Sequence, residues 1–256
     1  MRKRWLLIAV LAAASGAGWY FREPVVGFFQ TAAGGVELGL RRKFQPDPKT
    51  YTVLTRDLER LRKDLALRHG KARTPAERVA LEGEARVVLE KALPAMMRCW
   101  LGTPWDFNGT AKAPGEGRIA CGYFVATVLK DAGFRVDRYQ LARQPSENIL
   151  RSFLPKKSCV LTVGKDYQTF ATDVGKLESG VYVVGLDTHV AFIVVSDDQF
   201  RFVHSSGSRP WCVVDESRDN AGVLQRSNWR MLGNLTADSA VIRRWLKGEK
   251  IAVRGK

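Results

Sequence analysis

The sequence predicts an α+β fold in which helices come first and then pack on an antiparallel β-sheet. Its first half carries apolar residues at helical spacing among charged ones. Segments rich in β-branched and aromatic residues, separated by short polar turns, dominate residues 159–215. Helices followed by consecutive strands are typical of α+β proteins. With 256 residues and 45% hydrophobic content, the chain can bury one substantial core.

The protein is strongly basic, with a formal net charge of +15 from 41 Lys and Arg against 26 Asp and Glu. Such a charge favours anionic surroundings, which include nucleic acid, lipid headgroups and acidic cell-wall polymers. The sequence contains no zinc-finger spacing, no RNP-like aromatic set and no long basic run. No nucleic acid partner is therefore expected, and charge alone does not choose among the other anionic partners.

Residues 1–21 have the pattern of a signal peptide or a short N-terminal membrane anchor. A basic start is followed by seventeen uncharged, largely apolar residues. The small residues 15–17 suit cleavage, whereas the aromatic residues 19–21 are typical of a retained interfacial belt. Both alternatives predict an extracytoplasmic protein, periplasmic or secreted. A retained segment would anchor it to the inner membrane.

Residues 22–94 are predicted to form a linker followed by a helical region. The first helix covers residues 50–69, and the second begins at the capping box Thr74–Glu77. A break is expected at Pro94, because proline lacks the N–H that an interior helical position uses. His69, at the end of the first helix, is expected to be exposed.

Residues 95–235 are predicted to form the catalytic domain, in which a turn-rich segment delivers one cysteine to the start of an apolar helix. After Cys121, apolar residues recur at three- and four-residue spacings until Gly133 ends the helix. The N–H groups and the positive dipole end at a helix start favour thiolate over thiol. Cys121 is therefore a candidate nucleophile.

The region after this helix is predicted to hold a short helix, five strands and a closing helix. The short helix opens at residues 144–147 and ends near Phe153. The predicted strands are Cys159–Val163, Val181–Gly185, His189–Val195, Phe200–Ser205 and Trp211–Asp215. The last segment, residues 236–256, is predicted to be a C-terminal helix with a basic tail.

Two of the three histidines fall on neighbouring predicted strands. A hairpin loop of Ser196-Asp197, or of Val195 to Asp198, pairs His189 directly with His204, whereas a loop at Asp197-Asp198 makes them diagonal neighbours on one face. The same face carries apolar residues at positions 191, 193, 195, 200 and 202. Two polar rings at one end of an apolar face indicate a site.

Cys121, His189 and His204 together match the needs of nucleophilic catalysis. A cysteine nucleophile requires an imidazole that takes its proton and later protonates the leaving amine. That imidazole needs a second polar group to fix its tautomer. The three residues can fill these roles if the helix start meets the strand end.

Three further residues are candidates for the oxyanion or substrate side of the site. They are Trp105, Asp106 and Tyr123, which lie near Cys121 in the sequence. A tetrahedral oxyanion would be stabilised by the backbone N–H of Cys121 and by a side chain from the preceding loop. Trp105 Nε1 is a donor of the required kind, although a tryptophan in such a loop is often only packed.

Two alternatives stay open for the cysteine and the histidines. Each could be a packed core side chain, because free cysteines and strand histidines often are. One cysteine and two histidines could also hold zinc, although no fourth ligand stands out and a helix start suits a nucleophile. Cys99, Cys159 and Cys212 are expected to be core residues, and an exported protein could pair two of them.

Several short motifs follow one another between residues 95 and 216. They are Gly102-Thr103-Pro104-Trp105, the Asn108-Gly109 turn, Cys121 with Phe124-Val125, His189-Val190-Ala191 and Phe202-Val203-His204-Ser205. In this order they resemble the NlpC/P60 family of papain-like cysteine peptidases. The resemblance implies a papain-like fold with Cys121 as nucleophile, His189 as base and His204 as the orienting residue. It also implies cleavage of peptide bonds in cell-wall stems, commonly between D-glutamate and the diamino acid, without a metal cofactor.

The sequence departs from the family pattern beside the cysteine. Ala120 and Tyr123 stand where the family usually has an acid and a small residue, and Trp105 replaces a tyrosine. Residues 135–178 are longer than a compact member needs and could form a rim over the cleft. We therefore expect an exported cysteine hydrolase acting on peptidoglycan stem peptides, with no cofactor. The alternatives are another amide, thioester or acyl substrate, and a catalytically silent envelope-binding protein.

Overall fold

The computed structural model describes residues 45–255, so the predicted signal or anchor segment lies outside the described residues. The helices are α1 (Pro48–Lys71), α2 (Pro75–Arg98), α3 (Cys121–Asp131), α4 (Arg138–Ala142), α5 (Ser146–Phe153), α6 (Tyr167–Gly175), α7 (Gly222–Arg226) and α8 (Ser239–Lys247). The strands are β1 (Cys159–Val163), β2 (Gly180–Leu186), β3 (Val190–Ser196), β4 (Gln199–Ser205), β5 (Val213–Ser217) and β6 (Trp229–Asn234). None of these helices combines the length and apolar composition needed to cross a membrane. The predicted α+β class is confirmed.

Helices α1 and α2 pack against each other. Helix α1 extends two residues beyond the predicted range 50–69 at each end, and α2 begins at the predicted capping box. The predicted capping box forms, because the N–H of Glu77 donates to Thr74 Oγ1 at 3.2 Å and the Thr74 N–H donates to the Glu77 carboxylate at 3.4 Å. The predicted break at Pro94 is wrong. Helix α2 continues because Leu93, Met96 and their neighbours are fully buried, and this packing outweighs the lost backbone hydrogen bond.

His69 is not exposed as predicted, since only 10% of its side-chain surface reaches solvent. Its Nε2 lies 3.3 Å from the Glu82 carboxylate, which joins the end of α1 to α2. The third histidine of the chain is therefore a packing residue between two helices.

The six strands form one antiparallel sheet in the order β1-β6-β2-β3-β4-β5. Strands β2 to β5 form the predicted meander. Strand β6 was not predicted, and it inserts between β1 and β2. Its sequence, Trp-Arg-Met-Leu-Gly-Asn, gives only a weak strand signal, because it has a charged residue at a position that is buried. The Arg230 side chain donates hydrogen bonds to three backbone carbonyls, which offsets the cost of burying it.

The β3–β4 hairpin has the two-residue loop Asp197-Asp198, one of the loops considered from the sequence. Both residues have positive φ, 50° and 59°, as the primed turns of two-residue hairpins require. Ser196 consequently pairs with Gln199 and Ile193 with Phe202. This register makes His189 and His204 diagonal neighbours on one face.

The sheet is covered on both faces, which explains why every residue of β2 is buried. On one face, Ile193 and Phe202 join a cluster with side chains from α6 and α7. On the other face, Phe192 meets Phe124 of α3 edge to face, with ring centroids 5.9 Å apart. Helix α3 is thereby fixed against β3, the strand that His189 precedes.

Candidate active site

Cys121 is the first residue of α3, as predicted, and backbone hydrogen bonds hold the segment leading to it. The Ile119 N–H donates to the Pro104 carbonyl and the Ala120 N–H to the Gly109 carbonyl, both at 2.9 Å. Ser205 Oγ, at the end of β4, donates to the Ile119 carbonyl at 2.6 Å. The helix start at Cys121 is therefore tied directly to the strand that carries His204.

Gly122 allows α4 to pack closely against the start of α3. A β-carbon at this position would lie 2.3 Å from the Ala142 carbonyl oxygen, a distance that atoms in contact do not reach. The glycine after Cys121 thus has a steric cause. The predicted rim region includes α4, which borders the site at this contact.

The structure joins His189 and His204 by a hydrogen bond and adds a carboxylate that sequence reasoning missed. His189 Nε2 lies 2.9 Å from His204 Nδ1, and the two rings are perpendicular. His204 Nε2 lies 3.0 Å from Glu216 Oε2. His204 is completely buried, whereas His189 is half-buried. The three side chains form one continuous chain of hydrogen bonds.

This chain of hydrogen bonds fixes the tautomer of each ring. A carboxylate accepts hydrogen bonds, so His204 Nε2 carries the proton that it donates to Glu216. His204 Nδ1 is then the acceptor for the proton on His189 Nε2. The Nδ1 of neutral His189 is left with a free lone pair, as a general base requires.

Glu216 was missed because the predicted strand ended at Asp215. The observed β5 begins two residues later than predicted, at Val213, and extends to Ser217. Its register pairs Phe202 with Glu216, so Glu216 becomes the diagonal neighbour of His204. The polar sequence of the strand's second half gave no strand signal, and pairing with β4 alone extends it.

Burial raises the pKa of the Cys121 thiol above its ordinary value of 9.0. Hydrogen bonds from the backbone of Val190 and Gly122 act in the opposite direction but are weaker. The expectation of a thiolate stabilised by the helix start is therefore wrong for the unliganded protein. Burial, and to a smaller extent His204, lower the pKa of His189 well below 6.5. Both members of the pair are consequently neutral at neutral pH.

These opposite shifts predict the pH dependence of thiol alkylation. The rate at which iodoacetamide modifies Cys121 should be low near pH 7 and should rise steadily beyond about pH 9, because only the thiolate reacts and its pKa is raised. Mass mapping of the Cys121 peptide measures the rate at each pH. A plateau between about pH 4 and pH 8 would instead show a preformed thiolate–imidazolium pair and contradict the prediction.

A cavity of about 1010 Å³ opens over Cys121 and His189. Trp105 and Tyr123, two of the predicted substrate-side residues, line it as well. Asp106 lies outside it, where its Oδ1 accepts a hydrogen bond from the Asn108 N–H at 2.8 Å. The structure therefore brings Cys121, His189, Trp105 and Tyr123 to one cavity, and leaves Asp106 in the adjoining turn.

The indole of Trp105 packs against Gly207, where a β-carbon would lie 3.0 Å from the ring. It also contacts Trp211, with ring centroids 5.5 Å apart. Among residues 45–255, its Nε1 has no hydrogen-bond partner. Trp105 thus combines a packed ring with a donor group that is available to a ligand.

The four cysteines are all free thiols. Cys99 and Cys212 are buried as predicted, but Cys159 is only half-buried on the edge strand β1. Within the part of the chain that the structure describes, no group of three or more His, Cys, Asp or Glu side chains is arranged to hold a metal ion. A zinc site built on Cys121 and the two histidines has no such ligand cluster there.

The fold and the site together define an α+β protein with a cysteine, two histidines and a glutamate at the end of an antiparallel sheet. No family model, no curated protein and no solved structure matches the chain.

Proposed function

We infer that this protein is an exported or membrane-anchored cysteine hydrolase of papain-like fold, a divergent relative of the NlpC/P60 family, that cleaves peptide or amide bonds in peptidoglycan stem peptides. One observation carries the proposal. Among residues 45–255, the hydrogen bonds from His189 through His204 to Glu216 leave His189 Nδ1 free, and His189 lines the same cavity as Cys121.

The first half of the proposed reaction forms an acyl-enzyme. Cys121 Sγ attacks the substrate carbonyl carbon while its proton moves to His189 Nδ1, which gives a tetrahedral oxyanion and an imidazolium. The backbone N–H of Cys121 and Trp105 Nε1 are the proposed donors to the oxyanion. When the tetrahedral species collapses, the carbon–nitrogen bond breaks and the imidazolium proton goes to the leaving amine. A thioester on Cys121 remains.

The second half uses water in place of the amine. His189 takes a proton from the water as its oxygen attacks the thioester carbonyl, and the same proton then goes to the departing Cys121 sulfur. Because both partners are neutral in the unliganded protein, the charge pair arises only during each attack. The Glu216 carboxylate at the far end of the hydrogen-bond chain stabilises the imidazolium at that moment.

Digestion of purified muropeptides by the full-length protein tests the proposal. Mass analysis should detect stem fragments that are heavier by one water in total than the intact stem, and prior alkylation of Cys121 should prevent their formation. Protein alkylated only at the half-buried Cys159, identified by mass mapping, serves as the control and should remain active. Failure of unmodified protein to release any fragment would contradict the proposed function.

A further inference from the structure

Two of the three charged side chains that line the cavity are arginines without a partner. Arg143 and Arg226 are both exposed, and among residues 45–255 neither guanidinium hydrogen-bonds or pairs with a carboxylate. Arg138, on the helix before Arg143, differs because it is buried and donates to Thr127 Oγ1 and to the Ala111 carbonyl. Arg143 and Arg226 therefore bring two positive charges to the cavity that no ion pair among these residues engages.

Asp187 is the third charged residue, and the protein already uses its carboxylate. It accepts hydrogen bonds from Ser227 Oγ at 2.5 Å, from the Asn228 N–H at 2.8 Å and from the Trp229 N–H at 3.2 Å. These bonds, above all the one from Ser227, lower the pKa of Asp187. The carboxylate fixes the chain beside Arg226 and makes no ion pair with it, so the wall of the cavity stays positive.

Each arginine adjoins one member of the catalytic pair. Arg143 follows directly after Ala142 at the C-terminal end of α4, and the Ala142 carbonyl lies against the helix start that carries Cys121. Arg226 ends α7, and the loop after it donates hydrogen bonds to Asp187, in the segment that leads into His189. A group bound by both arginines would lie beside the reacting atoms.

We propose that Arg143 and Arg226 form an anion-binding subsite that holds a substrate carboxylate next to the scissile bond. The inference rests on the proposed hydrolase function and narrows its substrate class to peptides or acyl compounds with a carboxylate close to the bond that is cleaved. Guanidinium groups suit this role because they bind carboxylates through two parallel N–H···O bonds. A substrate in which that carboxylate is replaced by a carboxamide binds more weakly.

The charge near Cys121 can be measured without any hydrolysis. Iodoacetate and iodoacetamide both alkylate the thiolate and release iodide. Both rates depend in the same way on the fraction of thiolate, so their ratio is independent of the thiol pKa. The ratio instead measures how strongly nearby charges attract the iodoacetate carboxylate. For Cys121 at low ionic strength, we expect the iodoacetate-to-iodoacetamide ratio to exceed that of N-acetylcysteine about fivefold. The excess should shrink as salt is added, because salt screens exposed charges.

Single substitutions assign the effect to the two arginines. Arg143→Gln and Arg226→Gln should each lower the ratio, and the double variant should bring it to the value of N-acetylcysteine. Arg60→Gln is the matched control, because Arg60 is an exposed arginine on α1 outside the cavity, and it should leave the ratio unchanged. Mass mapping restricts the measurement to the Cys121 peptide.

The outcomes separate this inference from the proposed function. A wild-type ratio equal to that of N-acetylcysteine, or a ratio that the double variant leaves unchanged, overturns the subsite whether or not stem peptides are cleaved. The expected ratios without cleavage of any muropeptide support the subsite and overturn the hydrolase. If the stem peptide is cleaved, amidation of its carboxylate should raise the KM of the wild type about tenfold. The KM of the double variant should be the same for the amidated and the unmodified peptide.

Discussion

Replacing Cys121 by alanine is expected to abolish hydrolysis of muropeptides, with a fall in kcat/KM of at least about 10⁴-fold. The thiol is the group that attacks the carbonyl in the proposed reaction, and the rest of the cavity offers no second nucleophile in the same position. Cys121→Ser should lose activity to a similar extent, because a hydroxyl is far less acidic than a thiol and His189, with its lowered pKa, is a weak base toward it. Mass-detected digestion measures both variants.

The same variants should keep the fold. Cys121 is the first residue of α3, and the N-cap before it, Ala120, makes no side-chain capping bond. The substitution therefore removes no cap, and the thermal midpoint should shift by only a few degrees. Cys159→Ala, on the edge strand β1, is the matched control and should digest muropeptides at the wild-type rate. Cys121→Ala with more than about a tenth of wild-type activity would refute the assigned nucleophile.

Replacing Glu216 by methionine is expected to lower kcat about 100-fold and to leave KM unchanged. Methionine has a similar length but cannot accept the proton of His204 Nε2, so the preferred tautomer of both histidines is lost. Glu216 acts as a positioning residue, since it reaches His189 only through His204 and does not line the cavity. Glu216→Gln keeps an acceptor oxygen without the charge and should recover part of the lost activity.

Nitrogen-15 NMR of the imidazoles distinguishes this role from a purely structural one. Wild-type protein should show the Nε2–H tautomer for both His189 and His204, and Glu216→Met should show a mixture. Asp215→Asn provides the control, because Asp215 is on the same strand and pairs with Arg201 at 2.7 Å, away from the histidines. Wild-type kcat together with unchanged tautomers in Glu216→Met would exclude the proposed relay.

Much of the site could be predicted from the sequence, because its main parts depend on residues that are close together in the chain. The apolar spacing after Cys121 is sufficient to place it at a helix start. The two-residue period of a strand places His189 and His204 on one face for either loop considered. The capping box at Thr74–Glu77 likewise needs only four consecutive residues.

The remaining features depended on contacts between segments far apart in the sequence. Pairing with β4 extends β5 to Glu216, although the local sequence there is polar. Burial raises the pKa of the Cys121 thiol, which is opposite to the shift that the helix start alone would produce, because desolvation depends on everything packed around the sulfur. The two cavity arginines come from α4 and α7, short helices that the pattern did not reveal.

The sequence itself thus determined that Cys121 begins a helix and that the two histidines lie on one face of the sheet. Local spacing sets which residues share a helix turn or a strand face. Only the tertiary structure decided the third hydrogen-bonding partner, the charge state of the pair and the positive wall of the cavity. Those three properties depend on long-range packing, since hydrogen-bond partners, dielectric and neighbouring charges are supplied by other segments of the chain.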